Sequence, residues 1–227
     1  MASETQDPAA QAGFWAGLLS REVVTEPRGR LLLPGDATQV GLRFVRPAAG
    51  SAPVGPPRLH LHVTSARPQD QQARVEQALA LGARHVDVGQ LPEEGHVVLA
   101  DPAGSAFCVI EAGNAFLAGC GLLGEVACDG SREVGLFWSA ALDWPLVWDE
   151  NGETAVQSPH GGTKLAWGGP PFAVKQGRNP HRLDLTCTEL DPEVARLTAL
   201  GARRLPDEGG STLLADPDGN ELSLSAT

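Results

Sequence analysis

The sequence predicts an α+β protein made of two diverged copies of one small domain, and three observations predict it. Four landmarks recur in the same order at offsets of 115 to 123 residues. Short apolar runs of strand length sit between Pro/Gly breaks, and each copy holds two segments with helix start and stop residues.

The landmarks are specific. Gly13-Phe-Trp-Ala-Gly-Leu-Leu matches Leu136-Phe-Trp-Ser-Ala-Ala-Leu, and Leu59-His-Leu-His matches His181-Arg-Leu-Asp. Leu79-Ala-Leu-Gly-Ala-Arg matches Thr198-Ala-Leu-Gly-Ala-Arg, and Val98-Leu-Ala-Asp-Pro-Ala-Gly matches Leu213-Leu-Ala-Asp-Pro-Asp-Gly.

Taken in order, Asp7-Pro8 supplies an N-cap and a first helical proline, with Phe14 and Leu18 on one face of the helix that follows. Ser131 plays the cap in the second copy. The runs 30–33, 40–45 and 59–63 read as strands. A second helix in each copy opens at Asp70 or at Asp191-Pro192 and closes at Gly82 or Gly201. Residues 97–100 and 212–215 then run into Asp-Pro-x-Gly turns, and the chain returns as 107–110 or 222–225. Each copy is thus βαβββ written twice, with domain 1 over 1–112, a small-residue linker over 113–121 and domain 2 over 122–227. The first strand of domain 1 is truncated, because only a few residues precede the Asp7 cap.

Composition narrows the partners. The net charge of −11 divides into 9 basic and 12 acidic groups in 1–112 against 8 and 16 in 113–227, with no Lys or Arg cluster to neutralise phosphates. Binding to nucleic acid or an anionic membrane would oppose that field. No apolar run is long enough to span a bilayer, and Met1-Ala-Ser-Glu-Thr-Gln-Asp is not a signal peptide. Four cysteines without Cys-x-x-Cys spacing imply reduced thiols in a cytoplasmic protein.

The order of Phe-Trp helix, Leu-His-Leu strand, Leu-Gly-Ala helix end and Ala215-Asp-Pro-Asp-Gly-Asn-Glu-Leu hairpin resembles the glyoxalase-like domains of the vicinal oxygen chelate superfamily. That superfamily includes glyoxalases, bleomycin resistance proteins and dioxygenases. The resemblance implies a tandem pair of glyoxalase-like domains, each of two βαβββ modules forming an incomplete barrel around a small-molecule cavity in each copy.

It also implies where a divalent metal would be held. In the first copy those positions fall before Ala2, on His60 and on Cys108; in the second they fall on Leu123, Arg182 and Ser223. Arg cannot release its proton to bind a metal, so neither copy carries the family set and no metal ligand is assigned. One divalent metal at His60, within a remodelled set of His60, His62 and Cys108, stays open as the alternative.

His60 and His62 lie two apart on one strand, share a face and titrate near neutral pH, which makes them the candidate catalytic pair. The alternative is a half-buried strand that carries two polar residues into a solvated cavity. Arg58, Cys108, Glu125, Trp148, Trp167, Arg182, Asp184 and Ser223 are the candidate substrate-binding residues. Among them, Arg182 either recognises a carboxylate or carbonyl or forms an ion pair with Asp184 or Glu125. Trp167 is either core or an aromatic lip where a strand ends in a Gly/Pro loop.

The expected function is metal-independent binding of a small organic molecule, either sequestering it or catalysing a simple proton-transfer or cyclisation step, as a lyase or isomerase would. A metal-dependent lyase, isomerase or dioxygenase using domain 1 alone, and a non-catalytic scaffold, are the alternatives. The fused copies favour a monomer with an internal pseudo-dimer.

Overall fold

The computed structural model describes residues 1–48, 57–91, 93–171, 175–208 and 210–226. Among them the chain forms four βαβββ modules in succession. Module 1 is β1 (Ala2–Glu4), α1 (Pro8–Leu19), β2 (Val23–Glu26), β3 (Gly29–Leu32) and β4 (Leu42–Val45). Module 2 is β5 (Leu59–Val63), α2 (Pro68–Ala80), β6 (Arg84–His85), β7 (Val97–Ala100) and β8 (Ala106–Val109). Module 3 is β9 (Leu123–Cys128), α3 (Arg132–Leu142), β10 (Leu146–Glu150), β11 (Glu153–Val156) and β12 (Lys164–Trp167). Module 4 is β13 (His181–Cys187), α4 (Leu190–Ala199), β14 (Arg203–Arg204), β15 (Thr212–Ala215) and β16 (Glu221–Ala226).

Local chemistry sets the helix starts. The Asp7 carboxylate accepts from the backbone N–H groups of Ala9 and Ala10, both at 3.1 Å, and Ser131 Oγ accepts from Val134 N–H at 3.3 Å. The opening of α2 differs from expectation. The helix starts at Pro68, and Asp70 lies one turn in, where its carboxylate accepts from Arg67 N–H at 3.0 Å. Pro68 presets the first helical φ, so Asp70 serves as the reciprocal member of a capping box.

The modules assemble into two open eight-stranded sheets. Sheet 1 runs β14-β15-β16-β13-β1-β4-β3-β2, and sheet 2 runs β10-β11-β12-β9-β5-β8-β7-β6. Each sheet therefore holds two modules, but the partners come from different copies. Module 1 pairs with module 4 through β1 and β13, and module 2 with module 3 through β5 and β9. The expectation of a cavity within each copy is corrected accordingly, since each sheet's concave face is shared by both copies. The truncated β1 is three residues long yet central, antiparallel to β13 and parallel to β4.

The repeated landmarks explain what ties the sheets together. Trp15 on α1 of sheet 1 donates its indole N–H to Asp101, in the turn between β7 and β8 of sheet 2, at 3.3 Å. Trp138 on α3 of sheet 2 donates to Asp216, in the turn between β15 and β16 of sheet 1, also at 3.3 Å. Each turn aspartate uses its other oxygen to close its own Asp-Pro-x-Gly turn: Asp101 accepts from Ala103 and Ser105, and Asp216 from Asp218 and Asn220. Gly104 and Gly219 take positive φ there (92° and 83°). The Phe-Trp and Asp-Pro-x-Gly motifs of one copy thus bind each other across the sheets, and one core drawn from both sheets lies between them. His181 adds a third tie, its ring bonded to Leu59 O at 3.0 Å and to Ser105 Oγ at 3.2 Å.

Candidate functional site

Pleat alternation sorts every strand residue to the core or the concave face. In sheet 2, Leu59, Leu61, Val63, Val126, Cys128, Leu165 and Trp167 belong to the core. Their alternates on the concave face include His60, His62, Cys108, Glu125, Ala127, Lys164 and Ala166. The register aligns His62 with Cys108 on one side and Glu125 on the other, and Glu125 with Lys164. A cavity of about 460 Å³ opens over this face, lined by His60, His62, Glu125, Ala127, Phe116 and Trp148 among others. The small side chains of Ala127 and Ala166 leave the floor low.

The chemistry of this cavity is a chain of contacts. Glu125 Oε2 lies 2.6 Å from His62 Nδ1, and His62 Nε2 lies 2.9 Å from His60 Nε2. Burial alone would lower the His62 pKa, but interactions with Cys108 and Glu125 outweigh it and raise it to about 9. Burial, together with the neighbouring charge of His62, lowers His60 to about 4. The pair therefore carries one proton near neutral pH, resident on His62, with a neutral His60 accepting at Nε2.

Lys164 occupies the remaining corner. Its ammonium donates to Phe116 O and sits 4.1 Å from the centre of the Phe116 ring, which meets Trp148 edge-on at 5.9 Å. Phe116 lies in the 113–121 segment, so the linker contributes the roof of the cavity. Sequence reasoning treated that segment as a connector and missed both Phe116 and Lys164. The parity of Lys164 with Glu125 was the available signal, but it requires knowing that β12 lies beside β9.

The other candidates fall into three groups. Both tryptophans line the cavity: Trp148 is 38% exposed at the rim, and Trp167, 2% exposed and stacked on Trp138 at 6.3 Å, forms part of its buried wall. Arg58 is buried at the start of β5, donating to Asp129 O at 3.4 Å beside the cavity. Arg182, Asp184 and Ser223 lie on sheet 1, away from this cavity.

There the expected pairings are corrected. Arg182 bonds Glu4 at 2.8 Å, and Asp184 takes Arg43 at 2.8 Å and Arg28 at 3.3 Å, while Glu125 belongs to the other sheet. Arg178 also holds Glu4, whose side chain is only 3% exposed. Ser223 Oγ donates to Asp184 at 2.6 Å. These groups leave about 130 Å³ on the concave face of sheet 1. Glu4 was missed because so short a β1 gave no alternation to read.

Among the described residues, His60, His62 and Cys108 are the group on sheet 2 that could hold a metal ion. The four register positions are His62, Cys108, Glu125 and Lys164, so one corner is an ammonium and Glu125 is engaged by His62 Nδ1. His60, His62 and Cys108 do bring three donor atoms within 4.8 Å of one another. The Nε2 atoms of His60 and His62 stand 2.9 Å apart, the length of an N–H···N hydrogen bond.

Paired βαβββ modules forming two open sheets, with a solvent-facing concave cavity in one, define the glyoxalase-like class of α+β proteins. The model of the glyoxalase-like domain family matches residues 1–110 and 125–225, and the chain belongs to that family. Glyoxalase I from Zea mays is similar in fold, with a TM-score of 0.64 at 13% identity, covering 98% of this chain and 89% of that one. A putative dioxygenase from Bacillus subtilis gives a TM-score of 0.60 at 12% identity, covering 100% and 83%. No curated protein matches the sequence. Among the described residues no helix is long and apolar enough to cross a membrane.

Proposed function

We propose that this protein binds a small organic molecule in the sheet 2 cavity without a metal and moves one proton on it, as a lyase or isomerase does. The observation that carries this reading is the Glu125–His62–His60 chain, with contacts of 2.6 and 2.9 Å, on the wall of a 460 Å³ cavity. Glu125 orients the His62 ring and holds its charge, as an orienting carboxylate does in other acid–base sites. When His60 gives a proton to the ligand, its Nε2 takes the His62 proton, so charge moves through the pair without isolating a second cation. The low alanine floor and the Trp148 and Phe116 rim suit a flat, conjugated ligand.

Sequestration without turnover uses the same cavity, and His60 distinguishes the two: it is required for turnover and dispensable for capture. The chain supplies both halves of each sheet, which supports a monomer with an internal pseudo-dimer. The four cysteines, none in Cys-x-x-Cys spacing, support a cytoplasmic setting.

The test is a titration with a panel of planar carbonyl compounds, read by quenching of tryptophan fluorescence in the wild type, Trp148→Phe and Ala127→Leu. Saturable quenching is expected in the wild type, reduced by Trp148→Phe and abolished by Ala127→Leu, whose added bulk fills the floor. Quenching that survives Ala127→Leu would place the ligand elsewhere and overturn the reading.

A further inference from the structure

A second cavity, of about 480 Å³, lies at the C-terminal ends of β5 and β8, between α2 and the 113–121 segment. Two polar side chains that line it have unused donors. Ser65, just beyond β5, is 8% exposed, and its Oγ has no hydrogen-bond partner among the described residues. Arg74, on the second turn of α2, has a buried Nε in the same state and makes no ion pair among those residues. Asp70, one turn earlier on α2, is taken by Arg67 at 3.0 Å. Burial pushes the Arg74 pKa down, and the charge of Asp70 offsets this only in part.

Buried donors are nearly always satisfied, because each one left without an acceptor costs its desolvation. Two of them on one cavity mark a place for an acceptor. The repeated frame does not demand them. At the 119-residue offset of Leu79 and Thr198, the position of Arg74 falls in the second copy on Glu193, which is paired with Arg196 at 2.6 Å.

The rest of the lining defines the ligand. Ile110 and Leu117, each 5% exposed, supply apolar wall. Glu111 also lines the cavity, its Oε1 accepting from Asn114 Nδ2 at 2.9 Å, and its charge opposes a second anionic group on a ligand.

We propose that this cavity is a second binding site, for a small monocarboxylate with an apolar body, whose carboxylate accepts from Arg74 and from Ser65 Oγ. A planar guanidinium matches a carboxylate with two parallel N–H···O bonds, and a few polar anchors on apolar walls are the usual form of a small-molecule site. The 113–121 segment borders both cavities: Phe116 lines that of sheet 2, and Leu117 and Ala118 line this one. The site does not depend on the proton-transfer reading.

The test is calorimetric titration of the intact chain with octanoate, octan-1-ol and octanedioate. One octanoate per chain is expected to bind the wild type, with the alcohol and the dicarboxylate each about tenfold weaker. Arg74→Met is expected to weaken octanoate about tenfold and Ser65→Ala about threefold. The melting temperature of Arg74→Met should stay within about 2 °C of the wild type or rise, since Arg74 gives up no partner.

Octanoate affinity unchanged in Arg74→Met would overturn the proposal. Octan-1-ol binding as tightly as octanoate would overturn it too, and so would the absence of saturable octanoate binding to the wild type. If Arg74→Met melts far lower, Ser65→Ala decides, and octanoate affinity unchanged there sinks the site. Displacement of octanoate by the planar carbonyl compounds that quench tryptophan fluorescence puts it in the sheet 2 cavity, which removes this inference and leaves the proposed function standing. Arg74-dependent octanoate binding without any quenching does the reverse.

Discussion

Sheet 1 and sheet 2 are built on one plan, and their concave faces have opposite contents. Sheet 1 fills its inward positions with Glu4, Arg43, Arg182 and Asp184, paired into a closed ionic network that leaves about 130 Å³. Sheet 2 places alanines at Ala127 and Ala166 beside the His60–His62–Glu125 chain, leaving about 460 Å³. The same frame therefore supports a structural plug or a site, depending on whether its inward side chains satisfy one another. In sheet 1 every carboxylate of the network has its guanidinium. In sheet 2 the His60 end of the chain faces the cavity.

That contrast breaks first in sheet 1. Asp184→Ala leaves Arg43 and Arg28 without their shared carboxylate, and removing one member of a buried pair costs about 3–5 kcal/mol. Urea unfolding should show that loss, and a change below about 1 kcal/mol would mean that the network is solvated and not a plug.

The pH dependence of stability probes sheet 2. His62 holds its proton more tightly folded than unfolded, so from about pH 6.5 to 9 the folded state keeps the extra proton and stability falls as pH rises. His60 does the opposite between about pH 4 and 6.5, where the unfolded state holds the extra proton and stability falls as pH drops. The pair's contribution should peak near pH 6.5, with an alkaline loss of roughly 3 kcal/mol at most, taking 1.36 kcal/mol per pH unit. Glu125→Gln should flatten the alkaline limb in thermal melts across this range. An unchanged limb would detach Glu125 from His62.

The smallest effect sharpens the comparison. Trp148→Ala at the exposed rim should shift stability by no more than about 0.5 kcal/mol, as surface changes do, while weakening ligand affinity about tenfold in fluorescence-independent calorimetry. Equal losses in stability and binding would show that Trp148 belongs to the core.

Much of this protein was legible in the sequence because its signals are short-range. Asp7 and Ser131 cap the helices they precede, the two Asp-Pro-x-Gly turns close on their own aspartates, and His60 and His62 share a face by strand periodicity alone. Family membership followed from the same local motifs. Trp167 does line the cavity, as its Gly/Pro loop suggested, but as a buried wall residue, because the parity of β12 stacks it on Trp138.

The sequence by itself determined four βαβββ modules, their order and the histidine pair, since each depends on neighbours a few residues away. Only the tertiary structure decided that module 1 pairs with module 4 and module 2 with module 3. That pairing brings Glu125 to His62 and Glu4 to Arg182, contacts that bridge 63 and 178 residues of chain. Strand pairing at such range depends on the joint burial of both sheets and on the Trp–Asp ties between them, which no local pattern encodes.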